Sequence, residues 1–292
     1  MKSLLALLAL ALLVPALLAA PLKPFTAAQL PTQKNLDEAS LAVESAMTNG
    51  GFEKVGEYSP YPTTQILVFT NETLKDLATA SEKGGFGAML RVSVTDHEGA
   101  IQIAYTTPEY WYNAYHLQGD LTSVTEAITK ALGKGQAFGP KNGLEPEELR
   151  EYHYKFGMPY FSDTLLLADH EDYQTALNTV EKGLQNKAGG VSKVYRIDLP
   201  DKEETVFGVA MTQKVSSDVF IMKEVDFKEM RSSAHLPYEI LVSKGKVYTL
   251  PAEFRIAISF PDLSMMGANS FMNIMSAPGD IADALKAVAK GK

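Results

Sequence analysis

One pattern of elements is written twice along this chain, and that repetition limits what it can fold into more than any other feature. Asn35-Leu36-Asp37-Glu38 has the form of a capped helix start, with Asn at the cap and Glu three residues on. Leu36, Ala39, Val43 and Met47 follow at helical spacing, and Gly50-Gly51 ends the run. The order returns from Asp169. Asp169 and Asp172 repeat the cap, Tyr173, Ala176, Val180 and Leu184 repeat the apolar stripe, and Gly189-Gly190 repeats the stop. Short strands are predicted after both glycine pairs, then buried strands over residues 65–69 and 206–211, then alternating strands around Val92 and Ile240. Residues 101–109 match 255–262 as a further strand, and 246–251 reads as an extra strand-like piece in the second copy. Gly119-Asp120 and Gly279-Asp280 each open a closing helix. The expected fold class is therefore α+β, built from two related repeats of about four antiparallel strands each. Their bounds are 21–133 and 169–292, with a linker and connecting helix over 134–168.

The first twenty residues, MKSLLALLALALLVPALLAA, place Lys2 before an almost unbroken apolar run. That is the pattern of a secretory signal peptide. A helix over residues 3–20 would be about 27 Å long, barely enough to span a bilayer, so a cleaved leader is expected before an uncleaved anchor. The chain has no cysteine, so packing alone must hold the fold in an oxidising compartment. These features together point to a periplasmic or secreted protein with no membrane association after signal removal. The net charge is −8 at pH 7, from 35 acidic and 27 basic residues. With that balance and no dense basic stripe, nucleic acid is excluded as an expected partner.

The segments GGFEKVGEY, ILVFTN, MLRVSV and IQIAYTTPEYW, in that order, resemble the domain of unknown function 302 family. The resemblance covers about 100 residues of the first copy well and the second copy loosely. It implies an α+β unit related to the TATA-binding-protein fold, with helices on one face of a curved antiparallel sheet. It carries no activity or catalytic residue. Where members are single-copy and self-associate, a tandem chain could form the pair internally, so a monomer with paired repeats is expected, with a homodimer as the alternative.

No phosphate-binding loop, dinucleotide fingerprint, HExxH, GxSxG or EF-hand loop is present. Four of the eleven methionines, Met265, Met266, Met272 and Met275, crowd near the C-terminus. Thioethers suit Cu(I), but no histidine lies within that stretch. The repeat alignment sets these methionines opposite the aromatic run Tyr110-Trp111-Tyr112-Asn113-Ala114-Tyr115. A shared packing role explains both copies, so the segment is expected to be an apolar wall, and neither a metal nor another cofactor is predicted.

The rings themselves offer a site. Tyr110, Trp111, Tyr115 and His116, with Tyr152 and His153 of the connector, are the candidate ligand-binding residues of an aromatic groove between the repeats. The leading expectation is a non-catalytic small-molecule-binding or accessory protein. The alternatives are a metal-independent hydrolase or isomerase using His153, or His235 with Glu239, as an acid–base pair, or a metal- or haem-handling protein. His97 and His170 are expected to be solvated.

Overall fold

The computed structural model describes residues 20–31 and 33–292. The leader expected over residues 1–20 lies, except for Ala20, outside the described residues. No described helix is long and apolar enough to cross a membrane.

The first half runs β1 (Phe25–Ala27), α1 (Leu36–Asn49), β2 (Glu53–Tyr61), β3 (Thr64–Thr70), α2 (Glu72–Ala80), β4 (Leu90–His97), β5 (Ala100–Thr106), α3 (Pro108–Ala114) and α4 (Thr122–Leu132). A two-residue strand β6 (Ala137–Phe138) and a short helix α5 (Pro146–Arg150) connect the halves. The second half runs β7 (Leu165–Asp169), α6 (Tyr173–Gln185), β8 (Val191–Leu199), β9 (Glu204–Met211), α7 (Asp218–Val225), β10 (Tyr238–Ser243), β11 (Lys246–Thr249), α8 (Ala252–Ser259) and α9 (Ala277–Ala289).

Caps start the helices where the sequence marks them. The Asn35 side chain accepts the Glu38 amide at 2.9 Å, and Asp172 accepts the Thr175 amide at 2.7 Å. Asp169, expected in the second cap, is instead the last residue of β7 and pairs with Lys246. The buried faces of these helices are Ala39, Val43 and Met47 in α1, and Ala176, Val180 and Leu184 in α6.

All eleven strands form one mixed-length antiparallel sheet in the order β6-β1-β5-β4-β3-β2-β8-β9-β10-β11-β7. Counted outward from the centre, β2, β3, β4, β5 and β1 on one side stand where β8, β9, β10, β11 and β7 stand on the other. The second side therefore holds five strands, and the first holds five and the connector's β6, in place of the four expected of each. The additional ones, β1 and β7, are short and carry no period-2 signal. The halves meet where Gly56 of β2 lies opposite Tyr195 of β8. A Cβ at Gly56 would stand 2.4 Å from the Val194 carbonyl oxygen, so only glycine admits this approach.

One expected strand is a helix. Residues 255–262, matched to 101–109 by sequence, belong largely to α8, and β11 takes the place expected of them. Ala252, Phe254, Arg255, Ile256, Ala257, Ile258 and Ser259 of α8 are all buried. A helix buried at every position but Glu253 has no polar face, so its sequence shows no helical period. Pro108 begins α3 after β5, and Pro251 caps α8 after β11. The aromatic run of α3 is therefore the counterpart in element order of Phe254–Ile258, and not of the methionines.

Helices α1 and α4 cover one face of β3–β5 through Leu67, Phe69, Val92, Val94 and Tyr105. On the other face Ile66, Val68 and Ala104 join Phe25, α3 and the second half in one continuous core. Gly56→Val is expected to cost about 2–3 kcal/mol by overpacking this junction. Gly279, whose Cβ position has no atom within 4 Å, supplies the control. Urea unfolding midpoints check this: G279A, in helix α9, should equal or exceed wild type, and a G56V midpoint equal to wild type would refute the constraint.

Candidate functional site

The six residues expected to line an aromatic groove are brought to one neighbourhood, but most of them fill it. Tyr110, Trp111 and Tyr115 are buried. The Tyr110 hydroxyl donates to the Ile258 carbonyl at 2.7 Å, the Tyr152 hydroxyl to Ala257 at 3.0 Å, and Trp111 Nε1 to Pro24 at 2.9 Å. Rings from α3 and the connector thus close on α8 as a seam between the halves. His116 is half-buried with its ring 5.0 Å from Phe161, and burial lowers its pKa. His153 is exposed and lies 4.5 Å from the Tyr160 ring, beside an open depression of about 720 Å³ that also includes Phe156 and Glu253.

His235 and Glu239 do not form an acid–base pair. His235 is fully enclosed, with Nδ1 2.7 Å from Ser259 Oγ and Nε2 3.2 Å from the Tyr238 hydroxyl. Ser259 already donates to the Arg255 carbonyl at 2.8 Å, so it accepts from Nδ1–H, and Nε2 accepts from Tyr238. Burial, reinforced by Arg255 and Arg91, holds the imidazole well below its usual pKa. It is a neutral core histidine. Glu239 of β10 instead lies between Arg91 of β4 and Arg255 of α8: Oε1 pairs with Arg91 Nη2, and Oε2 lies 3.2 Å from Arg255 Nε. Both guanidiniums face the Trp111 ring, at 5.9 and 5.5 Å from its centroid. Arg255 Nη2 also donates to the carbonyls of His235 at 2.6 Å and Pro237 at 3.2 Å.

The methionine segment is not a wall. Met265, Met266, Met272 and Met275 are 38%, 70%, 50% and 72% exposed. The wall was expected because residues 255–262 were aligned as a strand; with α8 in that place, the methionines fall in a loop before α9.

A cleft of about 490 Å³ lies elsewhere between the halves. The first half contributes Tyr61 from the end of β2, and Thr95, Asp96 and His97 from the end of β4. The second contributes Val219, Met222 and Lys223 from α7, then Asp226, Phe227 and Arg231 just beyond it. The Asp226 carboxylate accepts the Ser232 amide at 2.7 Å and the Ser233 hydroxyl at 3.0 Å. With its proton committed to Asp226, Ser233 accepts from the Tyr61 hydroxyl, 3.0 Å away. Burial pushes Asp226 up to about 6 and raises Tyr61. Arg231 donates through Nη1 to the Asp226 carbonyl and through Nη2 to His97 Nδ1 at 3.3 Å. In this arrangement His97 Nδ1 accepts and Nε2 carries the ring proton. At the other end of α7, Asp218 accepts from the Tyr58 hydroxyl and the Met211 amide, both at 3.2 Å, and burial pushes it up to about 7.

The cleft therefore combines two cationic side chains, Lys223 and Arg231, and two carboxyls already accepting hydrogen bonds, Asp96 and Asp226, with an apolar side formed by Val219, Met222 and Phe227. Val219 and Phe227 are exposed. That combination suits an anion carrying an apolar body. Among the described residues, no group of three or more His, Asp or Glu side chains is placed to hold a metal ion. Sequence reasoning placed none of these residues in a site, and it took His97 for a solvated turn residue. The one available signal was the mixture of charge and aromatic character in Asp226-Phe227 to Arg231. In comparisons with family models, curated proteins and solved structures, the chain has no match.

Two outcomes test these assignments. Glu239→Gln should cost about 3–5 kcal/mol in denaturant unfolding, because two buried guanidiniums lose their carboxylate; a cost below 1 kcal/mol would remove the clasp. Asp218 and Asp226 have folded-state pKa values raised above their unfolded values, so the native state keeps protons that the unfolded chain releases. Their contribution to stability is therefore greatest below about pH 4 and declines as pH rises through 6 and 7. Asp218→Asn should gain on wild type by on the order of 2–4 kcal/mol between pH 4 and pH 8. Parallel stability–pH curves for the two proteins would contradict the buried acid.

Proposed function

We propose that this is an exported, non-catalytic binding protein that holds a small amphiphilic anion in the cleft between two related repeats. The observation that carries the reading is Arg231, fixed at the cleft wall by the Asp226 carbonyl and by His97, with Phe227 and Met222 beside it. A guanidinium held by neighbours loses little freedom when it binds a carboxylate or phosphate, so more of the contact contributes to affinity. An apolar chain or ring on the ligand would cover Val219 and Phe227. Asp226 is nearly enclosed and both its oxygens already accept hydrogen bonds, which favours holding over proton transfer.

Export is supported by the leader-like residues 1–20 and by the absence of cysteine. The repeat reading is supported by the matched succession of strands on either side of the β2–β8 junction. Kinship with the domain of unknown function 302 family rests on the four quoted segments. An internally paired monomer is the companion proposal, since β2 and β8 meet as neighbours at Gly56 and Tyr195.

A second reading, a metal-independent hydrolase or isomerase, draws on the Tyr61–Ser233–Asp226 hydrogen-bond chain and on the carboxyl held at about 6. Calorimetric titration with alkyl and aryl carboxylates and phosphates separates the two. Binding by wild type, weakened roughly tenfold or more in Arg231→Gln with the ligand recovered intact, is the expected result. Equal affinity in R231Q would refute the cleft, and turnover of the ligand that Asp226→Asn abolishes would establish the enzyme.

A further inference from the structure

The loop before α9 turns its sulfur outward while burying Phe271 and Ile274. Phe271 and Ile274 are enclosed, whereas Met265, Met266, Met272 and Met275 are exposed. Simple packing would bury the thioethers along with their neighbours, so these four side chains are available for another use.

The backbone brings Met265, Met272 and Met275 close together. The Met272 amide donates to the Met265 carbonyl at 3.1 Å, and the Phe271 amide to Ser264 at 2.9 Å, which lays the two arms of the loop against each other. Met275 follows Met272 across the 3₁₀ turn of residues 271–274, its amide 3.4 Å from the Met272 carbonyl. Residues three apart in such a turn eclipse, so both side chains leave on the same face. The loop is also held in place. The Ser270 amide donates to Glu224 of α7 at 2.9 Å, and the Phe271 ring lies 5.0 Å from Tyr154.

Thioether sulfur is neutral, polarisable and soft. It competes poorly for Zn²⁺ or Cu²⁺, which prefer nitrogen, oxygen or thiolate, and well for monovalent soft ions. Nearby Glu224 accepts from Ser270 and Asn273 at Oε1, and a carboxylate oxygen is a hard donor that a soft monovalent ion ranks below thioether sulfur. We propose that Met265, Met272 and Met275 form a surface site for one Cu(I) ion, with all-thioether coordination and Met266 at its rim. No electron is transferred in this step: the ion arrives and leaves as Cu(I). The site is separate from the cleft and does not depend on its function.

The test titrates the full chain with Cu(I) under anaerobic reducing conditions, and with Ag(I) as the redox-inert analogue, against a chromophoric chelator. Wild type should bind one equivalent of each ion. The triple variant Met265→Leu, Met272→Leu and Met275→Leu keeps the apolar surface and removes the sulfur, and it should bind at least a hundredfold more weakly. Its metal-free melting curve should match that of wild type. X-ray absorption of the Cu(I) form should show sulfur scatterers alone, and Arg231→Gln should bind the ion as wild type does. Equal uptake by wild type and the leucine variant, nitrogen or oxygen scatterers, or no stoichiometric uptake would overturn the site. The same Leu variant shows whether the patch serves instead to dock an apolar partner, since that role would survive the exchange.

Discussion

The clasp of Arg91, Glu239 and Arg255 is the interaction on which the relation between the two halves depends. Burying three charges costs several kcal/mol each, and mutual attraction offsets this only when the partners meet in good geometry. Arg91 comes from β4, Glu239 from β10 and Arg255 from α8, so the attraction is available in one docking of the halves and in few others. Trp111 beside both guanidiniums, and the carbonyls of His235 and Pro237 on Arg255, narrow the choice further. The clasp thus contributes specificity more than net stability. The apolar seam around it supplies the favourable burial.

That docking also makes the cleft. Tyr61 and His97 sit at the ends of β2 and β4, while Asp226 and Arg231 follow α7, and only the joined sheet sets these ends beside each other. The His97–Arg231 contact spans 134 residues of sequence. Its geometry is a product of tertiary structure, with no local motif to announce it. The hydrogen-bond chain from Tyr61 through Ser233 to Asp226 crosses between the halves in the same way.

The parts of the fold legible in sequence were those whose local and tertiary demands agree. α1 and α6 carry caps and one apolar face each, so spacing alone located them, with the second cap misplaced by three residues, from Asp172 to Asp169. β3, β4, β9 and β10 were legible through buried or alternating runs. α8 was not, because burial of every position but Glu253 erased its period, and this single slip carried the methionines onto the wrong counterpart. Of the site, the meeting of Tyr110 with Tyr152 of the connector was legible in sequence, but the helix α8 on which they close, and the enclosure of His235 beside it, were not. Their hydroxyls and ring nitrogens already have protein partners, which sequence cannot show.

The strand order has a bearing on how copies of this chain meet one another. An exposed margin of a sheet is a row of unpaired amides and carbonyls that recruits other chains. Here the two innermost margins close on each other at Gly56 and Tyr195, leaving β6 and β7 outermost. β6 is two residues long, too brief to template a neighbour, whereas β7 has five residues and carries exposed Leu165 and Leu166. The vulnerability is therefore lopsided: strand exchange and fibril-like growth have one side from which to start, the β7 margin with its two exposed leucines.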